Sequence, residues 1–130
     1  MVEEIGKFGM GLKQPSMYEL RTRVLKTKEQ STDAIKATHM KVWYQFGCTS
    51  MSDGWSDQKN RSLINFLVNS PEETFFYKSI VASDEHKTGE YLFQKLDETV
   101  EEIREENVLQ VITDSHPAYV SAGKMLMEKR

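Results

Sequence analysis

The stretch SMSDGWSDQKN, residues 50–60, holds two aspartates, Asp53 and Asp57, with Gly54 and Trp55 between them. Carboxylates hold hard divalent cations, and Mg2+ commonly takes one or two of them with water completing its shell. Asp114 offers a second carboxylate in a matching place. Asp53 and Asp114 each follow a β-prone run and each comes directly before a change of chain direction. Two carboxylates meeting at neighbouring strand ends are the minimum for a cation site. In phosphodiester chemistry two such ions, about 4 Å apart, activate the attacking oxygen and stabilise the leaving one. By residue type alone, commoner readings stand beside this one. Asp-Gly is a hairpin-turn pair, and Asp114 or Ser115 can serve as the N-cap of a helix opened by Pro117. Asp57 reads as turn polarity, Trp55 as a partly buried packing residue and His116 as a loop residue.

Whether the two aspartates meet depends on the elements around them. Residues 1–15 are glycine-rich, end at Pro15 and read as a mobile lead-in to a single domain over 16–130. Ser16-Met17-Tyr18-Glu19 has the spacing of a capping box, opening a helix to about Lys28. The polar run 29–33 predicts a break. A second helix then carries Ile35, His39, Val42, Trp43 and Phe46 at helical spacing, with Gly47 placed to end it. Residues 48–53, 63–68 and 74–82 read as three strands with short links, an antiparallel meander. Residues 87–106 form a helix with the apolar stripe Leu92, Phe93, Leu96, Val100 and Ile103. Residues 108–113 give a fourth strand, and Pro117 suits the first turn of a last helix. A helix linking strands of one sheet is most simply a crossover that lays the fourth strand parallel to one of the first three. The fold class is therefore α/β (α+β), a mixed sheet with flanking helices.

The bulk composition narrows the function. The chain has 130 residues, one cysteine and three histidines, so a single domain without internal disulfide or zinc spacing is expected. No apolar run approaches the ~18 residues of a membrane span, and the N-terminus lacks the pattern of a secretory signal. An intracellular protein with no membrane partner is the expectation. Net charge is −3, but unevenly spread. Residues 1–46 carry eight basic and five acidic side chains, whereas residues 71–114 carry four basic and twelve acidic. Such an acidic centre repels DNA unless cations intervene. The Glu101, Glu102, Glu105 and Glu106 cluster reads as a solvated helix face. Cys48 reads as a small buried hydrophobe.

QPSMYELR, GCTSMSDGWSDQKNRSLINFLVNSP, KTGEYLFQKLDETVEEI and ENVLQVITD occur in this order from Gln14 onward. Together they resemble landmarks of plant hAT-like transposases, in the segment catalogued as domain of unknown function 659. The resemblance implies a ribonuclease H-like fold. It also implies that Asp53 and Asp114 match the first and second carboxylates of an Asp-Asp-Glu metal site. Members of that family cut and join DNA by Mg2+-dependent (or Mn2+-dependent) phosphoryl transfer in the nucleus. The sequence departs from the family in three ways. The third acidic ligand lies far downstream in the family, beyond Arg130. The usual zinc finger does not precede the domain. Asp114-Ser115-His116-Pro117 stands where the family continues Asp-Asn-Ala.

The resulting expectation is a truncated hAT-type transposase domain with two of three ligands. It is not expected to cleave or join DNA alone, and its cation site is expected to be weak or empty. The alternative is a non-catalytic nuclear interaction module that binds itself or a related transposase. A third reading recruits Glu90 or Glu128 as the missing ligand.

Overall fold

A computed structural model describes residues 2–9, 11, 13–56, 58–59, 61–82 and 88–130. They form two compact units, Met1–Ile35 and Lys36–Arg130.

The first unit begins with a short helix, α1 (Val2–Phe8), inside the segment expected to be an irregular lead-in. Met1, Met10 and Leu12 of that segment lie outside the described residues. The capping box forms as its spacing predicts. The Ser16 backbone N–H donates to Glu19 Oε2 at 2.8 Å, and Ser16 Oγ accepts from the Glu19 N–H at 3.2 Å. These bonds, with a smaller contribution from Arg23, hold the Glu19 carboxyl below its ordinary range. From this cap run α2 (Met17–Glu19), a π-helical turn (Leu20–Val24) and α3 (Leu25–Phe46). The break expected over residues 29–33 does not occur. Ser31 and Thr32 turn their hydroxyls back onto the Thr27 and Lys28 carbonyls, at 3.0 and 2.8 Å. A polar run that satisfies its side chains within the helix gives the backbone no reason to leave it.

In the second unit, the end of α3 buries His39, Val42 and Trp43. Ile35 and Phe46, expected on the same stripe, are exposed. Gly47 adopts φ 76°, the left-handed conformation that ends helices, and its N–H returns to the Trp43 carbonyl at 2.8 Å. The chain then enters β1 (Cys48–Ser56), β2 (Ser62–Asn69) and β3 (Thr74–Ala82), the expected meander. Helix α4 (Gly89–Ile103) is capped by Thr88, whose hydroxyl accepts from the Tyr91 N–H at 3.2 Å. It is shorter than the expected helix: a 3-10 turn takes residues 105–107, and Lys87 lies outside the described residues. Strand β4 (Val108–Thr113) and helix α5 (Pro117–Lys129) complete the chain.

The strand order is β3-β2-β1-β4, with β1–β2 and β2–β3 antiparallel and β1–β4 parallel. This mixed α/β arrangement is consistent with a ribonuclease H-like fold. One sheet face is built for helices. Ile64, Phe66 and Ala82 pack with Leu92 and Leu96 of α4 and with Tyr119, Ala122 and Leu126 of α5. A neighbouring cluster joins Trp43, Cys48, Val68 and Ile103. Full burial of a side chain such as Phe66 contributes about 1.5–3 kcal/mol. Cys48 is inert: burial pushes its thiol up to about 11.

The register assigns the other face row by row. Ile112, Met51, Leu67 and Phe76 share one row, Asp53, Asn65 and Ser79 the next, and Trp55, Leu63 and Val81 the third. Trp55 is 50%, Phe76 54%, Val81 60% and Ile112 45% exposed. Trp55 is therefore more open than a packing residue would be.

α4 and α5 are fastened by charge as well as by apolar packing. Asp97 accepts from Lys129 Nζ at 2.5 Å and from Arg130 Nη2 at 2.9 Å. Burial alone would raise the Asp97 carboxyl, but the two cations hold it below its ordinary 3.8. A depressed carboxylate stabilises the fold fully above its unfolded value and ceases to do so as pH falls through the folded one. Asp97→Asn is expected to cost about 1 kcal/mol near neutral pH, the scale of a small ion network. The difference from the parent in urea unfolding is expected to close as pH drops below 3.8. A gap that stays constant with pH would show that the charge contributes nothing.

Candidate functional site

Asp53 does not end its strand. The β1–β2 ladder continues past it, pairing Asp53 with Asn65, Gly54 with Ile64 and Ser56 with Ser62. The hairpin-turn reading of Asp53-Gly54 is thereby set aside; the turn falls beyond Ser56, and Asp57 lies outside the described residues. On the other side of β1, the parallel ladder with β4 stops one residue earlier, at Ser52 and Thr113. The next positions on the two strands are Asp53 and Asp114. The backbone thus brings the two carboxylate-bearing residues into line at one end of the sheet, and both are exposed.

Asp114 leaves the strand at this point. Its Oδ1 accepts from the Ser115 N–H at 2.6 Å. The N-cap of α5 is His116, whose Nδ1 accepts from the Ala118 N–H at 3.3 Å. Asp114 and Ser115, the expected caps, are thereby displaced. Pro117 is the first helical residue, so the helix starts where its ring requires no donor. The capping bond gives His116 a structural task.

A cavity of about 90 Å3 opens beside Asp114, lined by Gly54, Ile64, Leu92, His116, Ala118 and Tyr119. Tyr119 is 5% exposed, as is Ser52 beside it. Among the described residues neither hydroxyl completes a hydrogen bond of good geometry. Burial raises the Tyr119 phenol; the nearby Ser52 hydroxyl opposes this, and the charges of Asp53 and Asp114 add to it. The phenol therefore stays protonated and can donate. Sequence reasoning missed Tyr119 and Ser52. The available signal was Gly54, since a glycine inside a strand marks a close approach of another group.

Two exposed carboxylates offer oxygen donors of the kind Mg2+ or Mn2+ takes, with water filling the remaining positions. Carboxylate oxygens of Asp53 and Asp114 are of a kind that suits a hard cation, and these two residues would be the ones to hold it. Among the described residues no three His, Cys, Asp or Glu side chains group into a metal cluster. Glu90, in the first turn of α4, and Glu128, on α5, do not join the pair.

A Cβ at Gly54 would lie 3.1 Å from the Tyr119 hydroxyl. Replacing a strand glycine by alanine ordinarily stabilises by about 0.5–1 kcal/mol. Gly54→Ala is expected to show no such gain in urea unfolding of the parent, because the phenol must shift. The gain is expected to return in a Tyr119→Phe background. Equal gains in both backgrounds would mean that the hydroxyl does not fill this space.

Among curated proteins no match is found. The family described as Domain of unknown function (DUF659) matches residues 15–130, from the residue before the capping box through the crossover and the last helix. The match spans both aspartates and nearly the whole chain. The chain belongs to the family Domain of unknown function (DUF659).

Proposed function

We propose that this chain is part of the catalytic domain of an hAT-type DNA transposase, the part that carries two of its three acidic ligands. What supports the reading is the end of the β1–β4 ladder, where Asp53 and Asp114 follow the last parallel pair, Ser52 and Thr113. The sequence resemblance to hAT-like transposases assigns the first and second metal carboxylates to these same residues. When bound, a divalent cation would supply Lewis-acid stabilisation of a phosphoryl group. Asp53 and Asp114 would hold it by their carboxylate oxygens. Two carboxylates hold one ion weakly, whereas two ions at the spacing phosphoryl transfer needs call for a third. The chain alone is therefore expected neither to cleave nor to join DNA. Its cellular setting would be the nucleus, with DNA as the family's substrate.

The test is an assay of the purified chain on duplex DNA with Mg2+ or Mn2+. No product above background is expected. Cleavage abolished by Asp53→Ala would overturn the prediction of inactivity while supporting the site assignment.

A second reading is favoured by one observation: the apolar rows around Asp53 leave Trp55, Phe76, Val81 and Ile112 exposed on one sheet face. Large apolar side chains gathered on one open face are a mark of binding surfaces. In this reading the domain is a non-catalytic module that covers this face with another copy of itself. Light scattering is then expected to show mass rising with concentration, and Phe76→Ser with Val81→Ser to return it to the monomer. A parent that stays monomeric at high concentration would remove this reading.

A further inference from the structure

The cavity beside Asp114 contains a chemical inconsistency. Tyr119 and Ser52 bring two hydroxyls close together at a buried position, yet among the described residues neither completes a hydrogen bond of good geometry. Buried polar groups are almost always satisfied, by protein or by ordered water. Phenylalanine would fill the apolar part of this position equally well, since the ring already packs with Ile64, Leu92 and Leu96. The hydroxyl therefore needs a partner that the cavity can hold.

Room and chemistry are both present. A cavity of about 90 Å3 is well above the ~10–15 Å3 that one water requires. A water there also needs two to four polar partners. Tyr119 supplies a donor. Asp114 lines the same cavity and supplies the acceptor. One of its oxygens, Oδ1, is already engaged by the Ser115 N–H, which leaves Oδ2. His116, also on the wall, has Nδ1 committed to the Ala118 N–H. Asp53 does not line the cavity.

We propose that Tyr119 is a positioning residue: a water held in this cavity links its hydroxyl to the Asp114 carboxylate and sets the direction in which that carboxylate meets a cation. The last clause rests on the reading of Asp114 as a cation ligand; the water link itself does not. Partners of this kind orient metal ligands elsewhere, and their loss typically weakens metal binding roughly 10–100-fold. The link also gives the Gly54 position its purpose. Any side chain there would press on the Tyr119 hydroxyl.

Two measurements test this separately. The first is a double-mutant cycle in urea without added metal, using the parent, Tyr119→Phe, Asp114→Ala and the double variant. The midpoint shifts are expected to be non-additive, the double variant falling no further than the more destabilised single one. Additive shifts would overturn the link. The second is Mn2+ affinity, followed by electron paramagnetic resonance. Tyr119→Phe is expected to weaken Mn2+ binding roughly tenfold, the lower end of such losses, while the variant remains folded. If Asp53→Ala and Asp114→Ala lose Mn2+ but Tyr119→Phe binds it as the parent does, the positioning role fails and the cation site stands. If the aspartate variants bind Mn2+ unchanged, the cation site itself fails, and the positioning role with it.

Discussion

The parallel pairing of β1 with β4 is the constraint on which the rest of this structure depends. A meander of β1, β2 and β3 assembles from neighbouring segments through short links. A parallel partner cannot, because the chain must travel back along the sheet before it can enter in the same direction. Helix α4 makes that return, and its stripe of Leu92, Leu96, Val100 and Ile103 is what holds it to the sheet. Once β4 is seated beside β1, two residues distant in sequence become neighbours. Asp53 and Asp114 owe their adjacency to this crossover. Any change that loosens α4 from Ile64, Phe66 or Val68 would separate them without touching either.

The same sheet has two different faces, and strand alternation decides which side chain meets which. On β1, Cys48, Ser50 and Ser52 turn toward the helices and are buried, whereas Asp53 and Trp55 are exposed. Serines at buried strand positions are small enough to let Tyr119 approach the sheet. They also bring hydroxyls into the core that need partners. The opposite face has no such demand on size, and it carries large apolar residues around the polar row of Asp53, Asn65 and Ser79. In that row Ser79 Oγ donates to Asn65 Oδ1 at 2.9 Å, leaving Asp53 outside the pair.

Much of this was legible in the sequence where the local signal and the tertiary outcome agree. Ser16 and Glu19 form their box because both partners are close in sequence. Gly47 ends α3 because only a glycine adopts its φ without strain. The mixed sheet followed from one helix between two kinds of strand, whereas the strand that β4 joins was left open among the first three. The misreadings arose where contacts override a local pattern. Residues 29–33 look like a break, yet Ser31 and Thr32 are absorbed by carbonyls one turn back. β1 looks complete at Asp53, yet pairing with Asn65 to Ser62 carries it to Ser56. His116 caps α5 with a ring nitrogen, which residue preference does not favour. Tyr119 was invisible because the cavity it lines forms only once α5 lies over the sheet.

The charges sharpen the difference between the candidate site and its surroundings. Residues 71–114 are strongly acidic, and within them Glu101, Glu102, Glu105 and Glu106 read as a solvated helix face. In the fold many of those carboxylates have cationic partners. Glu102 meets Lys78 at 2.9 Å, Glu98 meets Lys95 at 2.7 Å, and Asp97 meets Lys129 and Arg130. Glu101 and Glu105 also reach Arg130. These pairs neutralise α4 locally and fix it against β3 and α5. Asp53 and Asp114 form no such pair among the described residues, although they stand next to one another. The acidic character of this chain is therefore of two kinds. The carboxylates of α4 are largely paired with cations, whereas Asp53 and Asp114 are exposed and carry no ion pair among the described residues.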